Sequence, residues 1–206
     1  MNTSKLARSF ALSAATVLAA CGVASAMTIT GSVYTTAPYP APLSSSQTPP
    51  GTFLGSFTTN SINYFGPTNS SPAYTIGGFL NSNGSVSTGL TPGVASMSLD
   101  NIELQFTGTT FLTAGTTYSI IHDDGTVLYL NNVLTVDSPS PTIAKDSSFT
   151  VGTTGNYSFD LLYAEVNGAP AVLDFPTATT PEPSTFVLLG SGLLGAAGAI
   201  RRRMRA

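Results

Sequence analysis

The chain has 206 residues, of which only 8% are charged, with a formal net charge of −3, one cysteine and no tryptophan. Between residues 27 and 180 the imbalance sharpens: Asp100, Glu103, Asp123, Asp124, Asp137, Asp146, Asp160, Glu165 and Asp174 face a single base, Lys145, for a net charge near −8. Such a surface repels phosphate backbones, which excludes nucleic acid as a partner, and attracts divalent cations.

The N-terminus reads as a processing signal. Lys5 and Arg8 precede an apolar run from Phe10 to Ala20 and the small residues Ala24-Ser25-Ala26, the pattern of a secretory signal peptide (1–26) cut after Ala26. Leu18 to Cys21 also fits a bacterial lipobox, in which Cys21 is acylated and becomes the new N-terminus; both readings stand. With no cysteine after residue 26, the exported fold rests on its core or on a bound ion rather than on disulfides.

From residue 27 onward, short runs of Val, Ile, Tyr and Phe alternate with Gly, Ser, Asn and Pro clusters, and no stretch has sustained helical periodicity. This predicts an all-β, antiparallel β-sandwich or barrel. Thr28–Tyr34 is a first strand, and the prolines between Ala37 and Gly51 make an extended loop. TFLGSFTT and SINYF are strands. Ala73–Asn81 is another, with a bulge at Gly77-Gly78, and Asn81–Gly93 is loop. In the second half, Ile102, Leu104 and Phe106 alternate with Glu103 and Gln105, which predicts a half-buried strand with its acidic side in water. TTYSII and TVLYL flank Asp123-Asp124-Gly125, which reads as a hairpin turn. Asn131-Asn132 and Asn167-Gly168 mark further tight turns, and VLTV, SSFTV, NYSFDLLYAEV and AVLDF complete the strands.

Asp123-Asp124 is the site candidate. Two adjacent acids repel, and a cation between them would cancel that repulsion; oxygen ligands in a loop suit Ca²⁺, which takes about 6–8 of them. An acidic β-turn without metal accounts for the residues equally. His122, the only histidine, has no second histidine or cysteine with which to build a transition-metal site.

The C-terminus carries Pro181-Glu182-Pro183, then Ser184–Ile200 without a charge, then Arg201, Arg202, Arg203 and Arg205. The run of about 17 residues is near the minimum for a helical membrane span, and the arginines keep the tail cytoplasmic with the domain facing outward. In combination these parts resemble the PEP-CTERM sorting signal. The resemblance implies recognition by an exosortase-type membrane peptidase, a transient inner-membrane anchor, and display at the cell surface or in the extracellular matrix. A permanent one-helix anchor is the competing reading. The predicted organisation is therefore signal peptide 1–26, β-domain 27–175, linker 176–183, transmembrane helix 184–200 and basic tail 201–206.

A second resemblance is carried by Gly115-Thr116-Thr117-Tyr118, Asp123-Asp124-Gly125, Tyr129, and Tyr163, Glu165, Gly168 and Ala169. In order and spacing these are similar to the carbohydrate-associated β-domain first named from the anthrax protective antigen, over residues 100–175. In sugar-binding members of that family an aspartate pair joined by a cis peptide holds a Ca²⁺ that binds sugar hydroxyls, helped by an asparagine on a nearby loop. The resemblance thus implies Asp123 and Asp124 as metal ligands, with Asn167 as the third and Glu165 as its competitor. With no tryptophan for sugar stacking, Tyr39, Tyr64 and Tyr74 are the substitutes. No nucleophile elbow, phosphate loop or His/Cys cluster points to an enzyme. The expected function is a Ca²⁺-dependent binding module for extracellular glycan, the alternative a structural matrix or biofilm protein without a discrete ligand.

Overall fold

The computed structural model describes residues 28–36, 43–66 and 74–177, all within the compact unit Ala26–Thr179. The predicted signal peptide with Cys21, Tyr39, Pro181-Glu182-Pro183, the apolar run 184–200 and the arginine tail lie outside the described residues.

Antiparallel strands dominate. One sheet has seven strands in the order β4 (Ser87–Thr88), β2 (Phe53–Thr59), β1 (Ile29–Thr35), β5 (Ile102–Leu112), β10 (Gly155–Glu165), β7 (Gly125–Leu130), β8 (Val133–Ser138). The other has four: β3 (Ile62–Phe65), β11 (Val172–Phe175), β6 (Thr117–Asp123), β9 (Lys145–Thr150). Ile29, Val33, Leu104 and Phe106 from the first sheet join Ile62, Tyr64, Ile120, Leu173 and Phe175 from the second in one buried cluster. In the central strands the residues that enter it alternate, as in Ile29 and Val33, Leu104 and Phe106, or Ile62 and Tyr64, following the two-residue period of a strand.

The local chemistry explains most connections. Asn131 and Asn132 take φ of 48° and 63° and close the β7–β8 hairpin, a left-handed pair that asparagine tolerates better than other side chains. At Asp124-Gly125 the predicted hairpin is not found: β6 and β7 belong to different sheets, so the corner hands the chain from one layer to the other. Gly125 is not among the residues with positive φ. Its role is closeness, because a Cβ there would meet the Pro139 carbonyl oxygen at 2.4 Å. Gly125→Ala is expected to cost about 2 kcal/mol or more in chemical denaturation, through displacement of backbone rather than of a flexible side chain.

Four further expectations are corrected. Ile76–Leu80, read as part of a bulged strand, is a short helix, α1: Thr75 accepts a hydrogen bond from Gly78 N at 3.1 Å as its N-cap. Gly77 lets α1 approach the second helix, α2 (Pro92–Ala95), since a Cβ would lie 3.0 Å from Ala95. The loop predicted over 81–93 contains the short strand β4 and the start of α2. The acidic side of β5 is not in water either. Glu103 is fully buried, because the chain from Leu43 onward lies over that face with Val127, Leu162 and Ala164. Gln105 Nε2 donates to the Gln47 carbonyl at 3.0 Å and Leu43 N to Pro139 O at 2.9 Å, which ties this segment down. Finally, β10 and β11 do not pair; the turn at Asn167-Gly168, where Gly168 has φ of 92°, also changes sheets.

Among the described residues no helix is long and apolar enough to cross a membrane.

Candidate functional site

Two sheet-changing corners meet at one end of the sandwich. The first is Asp123-Asp124 after β6 and the second is Val166–Pro170 after β10. Thr142 and Ile143, between β8 and β9, close the third side. Together with Asp100 and Asn101 they line an open cleft of about 780 Å³.

The two adjacent aspartates do different things. Asp124 is fully buried, and its carboxylate accepts three backbone N–H bonds: Thr142 N at 2.9 Å on Oδ1, and Val166 N at 3.0 Å and Asn167 N at 3.1 Å on Oδ2. It fastens the two neighbouring loops to the corner and is not among the cleft-lining residues. Asp123 does line the cleft. Its carboxyl is pushed up to about 6, first by burial and then by the charge of Asp124, with the Ala144 N–H pulling the other way. The peptide between them is cis, as is Ala169-Pro170.

Beneath the corner, Tyr163 Oη lies within hydrogen-bonding reach of the Asp123 carbonyl and, at 2.9 Å, of Glu165 Oε2. A hydroxyl has one proton, and a carbonyl only accepts. The Tyr163 proton therefore goes to Asp123 O, and Glu165 completes the chain by donating, which requires its neutral form. Burial, followed by the charge of Asp124, raises the Glu165 carboxyl to about 9. Glu165 is fully buried and absent from the cleft lining, which removes it as a competitor for ligand. Asn167 is exposed and lines the cleft.

His122 sits behind the corner. Its Nδ1 is 2.5 Å from the Asp124 carbonyl and its Nε2 2.8 Å from Ser147 Oγ. The carbonyl accepts only, so Nδ1 carries the proton and Nε2 accepts from the serine. Burial lowers its pKa, which keeps this neutral form. Tyr64 is fully buried and Tyr74 is 5% exposed, so neither serves as a sugar platform. The apolar side chain that the sequence did not single out is Ile143, 83% exposed on the cleft rim. No pattern marks it in sequence, since its position follows from the fold of its loop.

Among the described residues no group of three or more His, Cys, Asp or Glu is placed to hold a metal ion. A cation at Asp123 would draw the rest of its shell from neutral oxygens: the Asn167 amide, backbone carbonyls and water. That hard, mostly neutral oxygen set fits Ca²⁺.

Residues 179–203 match the family described as the PEP-CTERM protein-sorting motif. The chain carries a PEP-CTERM sorting motif. The motif implies an exported protein, processed by an exosortase at the membrane and displayed outside the cell. Among solved structures, the PEP-CTERM chain is similar to the PA14 sugar-binding domain from an RTX adhesin, at 19% identity over 72% of this chain and 88% of that chain, with a TM-score of 0.51. The described residues thus have the PA14 fold, the protective-antigen type expected from Tyr118, Asp123-Asp124-Gly125 and Tyr163. The PA14 domain of the MpAFP antifreeze protein aligns at 17% identity over 70% and 78% of the two chains, with a TM-score of 0.46. The GH31 alpha-xylosidase from Xanthomonas citri aligns at 13% over 79% of this chain and 16% of that one, with a TM-score of 0.42. No curated protein matches the PEP-CTERM chain.

Proposed function

We propose that this is an exported, surface-displayed module that binds extracellular carbohydrate through a Ca²⁺ ion held by Asp123 and Asn167, with Asp124 fastening the loops that present them. The observation that carries the reading is the division of labour at the corner. Asp124 immobilises both flanking loops through three N–H bonds, while Asp123 and Asn167 line an open, oxygen-rich cleft. Bound there, Ca²⁺ supplies a positive centre for sugar hydroxyls. The chain's own part is to pre-form the loops, offer hard oxygens, and present Ile143 as an apolar contact for a sugar's C–H face. The RTX-adhesin domain of the same fold is described as sugar-binding, which supports the ligand class.

Calorimetric titration of CaCl₂ into the full chain, held in a detergent without a sugar headgroup, tests this. The expectation is one saturable site and a calcium-dependent gain of about 2.7 kcal/mol at a hundredfold excess over Kd. Asp123→Asn should remove both while leaving the melting temperature in chelator nearly unchanged. A chain that shows no binding heat and no thermal shift at millimolar calcium would be a matrix protein without this ligand.

A further inference from the structure

Phe65 ends β3, and 44% of its surface is open to solvent. The register of the four-stranded sheet fixes where it points. Tyr64 of β3, Leu173 of β11 and Ile120 of β6 enter the common core. Phe65, Val172 and Asp123 lie an odd number of positions from them along their strands and therefore share the outer face. On that face Phe65 pairs with Val172, and Val172 with Asp123. Ring and carboxylate thus stand in one cross-strand row, their Cα atoms about 10 Å apart. Val172, 8% exposed, is the apolar floor between them. The next row along the sheet sets Asn63 opposite Asp174. Gly66 N donates to the Ala171 carbonyl at 2.7 Å, which ties the end of β3 to the residue after Pro170 of the cleft wall.

The exposure of Phe65 is not that of an open sheet edge. β3 is an edge strand, but Phe65 N donates to Ser82 Oγ at 2.9 Å and the Asn63 carbonyl accepts from Ser85 Oγ at 2.9 Å. The loop after α1 has taken the backbone groups that a further strand would need. What remains is the ring. Phe53, which is also exposed, has the ring of Tyr34 edge-on against it at 5.6 Å. Phe65 belongs to no such pair among the described residues.

We propose that Phe65 is a second glycan subsite: a stacking platform for a sugar ring further along the same polymer whose first ring occupies the Asp123 cleft. This rests on the sugar-binding reading above. The C–H face of a pyranose is apolar and lies on an aromatic ring, and its hydroxyls find acceptors in the neighbouring row at Asn63 and Asp174. The row from Asp123 to Phe65 is longer than one pyranose ring and is spanned by a few linked ones. A ring that reaches the platform is already tethered by the first, so its contact adds at high effective concentration. The module therefore selects polymers over single sugars.

Calorimetry on the full chain, in the same detergent with calcium, compares glucose, mannose and galactose with their β-1,4-linked tetramers. The wild type should bind at least one tetramer about tenfold or more tightly per ring than its monosaccharide. Phe65→Ala should reduce that preference to about threefold or less. Phe65→Leu, which keeps apolar bulk on β3, should do the same and decides the matter where the alanine variant shows no cooperative thermal unfolding. Phe65→Tyr keeps the ring and should keep the preference. A wild type that binds monosaccharide and tetramer equally well per ring overturns the proposal, and so does a preference that survives in Phe65→Leu. Both of those results leave the sugar-binding reading intact. Binding to none of the six in calcium defeats that reading and the proposal with it.

Discussion

Asp124→Ala is expected to lower the unfolding free energy by about 4 kcal/mol. The substitution leaves Thr142 N, Val166 N and Asn167 N without the acceptor they share, and a buried N–H without a partner costs about 1–3 kcal/mol. Partial exposure of Thr142 and Asn167 lets water recover some of that, which is why the sum stays well below three full penalties. Asp123→Ala takes an acceptor only from the N–H of Ala144, an exposed residue where water can replace it, and should cost about 1 kcal/mol or less. The neighbouring acids therefore separate cleanly in urea melts carried out in chelator: one substitution loosens the fold, the other leaves it and removes the cleft's charge. Equal losses at the two positions would show that the loops are held by something other than the Asp124 carboxylate. In hydrogen exchange, the amides of Thr142, Val166 and Asn167 should become the fastest-exchanging of their loops in Asp124→Ala and stay protected in Asp123→Ala.

The second large effect is on pH dependence. Glu165 is raised from 4.5 to about 9 in the folded protein, so the native state holds its proton more tightly than the unfolded chain does. A carboxyl of that kind contributes fully below pH 4.5, and its contribution is lost as pH rises toward 9, at about 1.4 kcal/mol per unit. Glu103, raised to about 7 by burial, and Asp123, raised to about 6, act in the same direction; Asp123 has largely titrated by neutral pH, and Glu103, half titrated there, finishes about a unit higher. Between about pH 8 and 9 the slope therefore belongs to Glu165. Glu165→Gln keeps a donor for Tyr163 Oη and has no charge to bury. Thermal melts in chelator should show it more stable than the wild type by about 3 kcal/mol at pH 8, with a nearly flat profile from about pH 8 to 9. A wild-type profile already flat over that window would mean that Glu165 is ionised in the folded state and that the Tyr163 proton points the other way.

These two residues also show where sequence reading stopped. Asp123-Asp124-Gly125 is visible as an anomaly, two acids in a chain with little charge, but both look equivalent in one dimension. Their separation comes from the corner itself: Asp123 ends β6 and lines the cleft, whereas Asp124, between β6 and β7, accepts from loops that are 18 and 42 residues away. Glu165 and Glu103 look like ordinary outward residues of alternating strands. Each is buried by a segment distant in sequence, Glu103 by the chain from Leu43 onward. The helix at Ile76–Leu80 is not legible in the sequence because Gly77-Gly78 argues against helix locally, while the close approach to Ala95 that selects glycine exists only in the folded chain. The same holds at Gly125, where Asp-Gly suggests a hairpin but the glycine answers to Pro139 rather than to its own φ.

By itself, the sequence determined the all-β class, most strand positions, the asparagine turn at Asn131-Asn132, the sorting motif at residues 179–203 and the carboxylate corner. All of these are written in short-range patterns: a two-residue period, a turn dipeptide, a contiguous motif. The tertiary structure alone decided which strands share a sheet, which acids are buried, and that Asp100, Asp123 and Asn167 line one cleft. Those depend on contacts between residues tens of positions apart, and such contacts come into being only when the two sheets close on their common core.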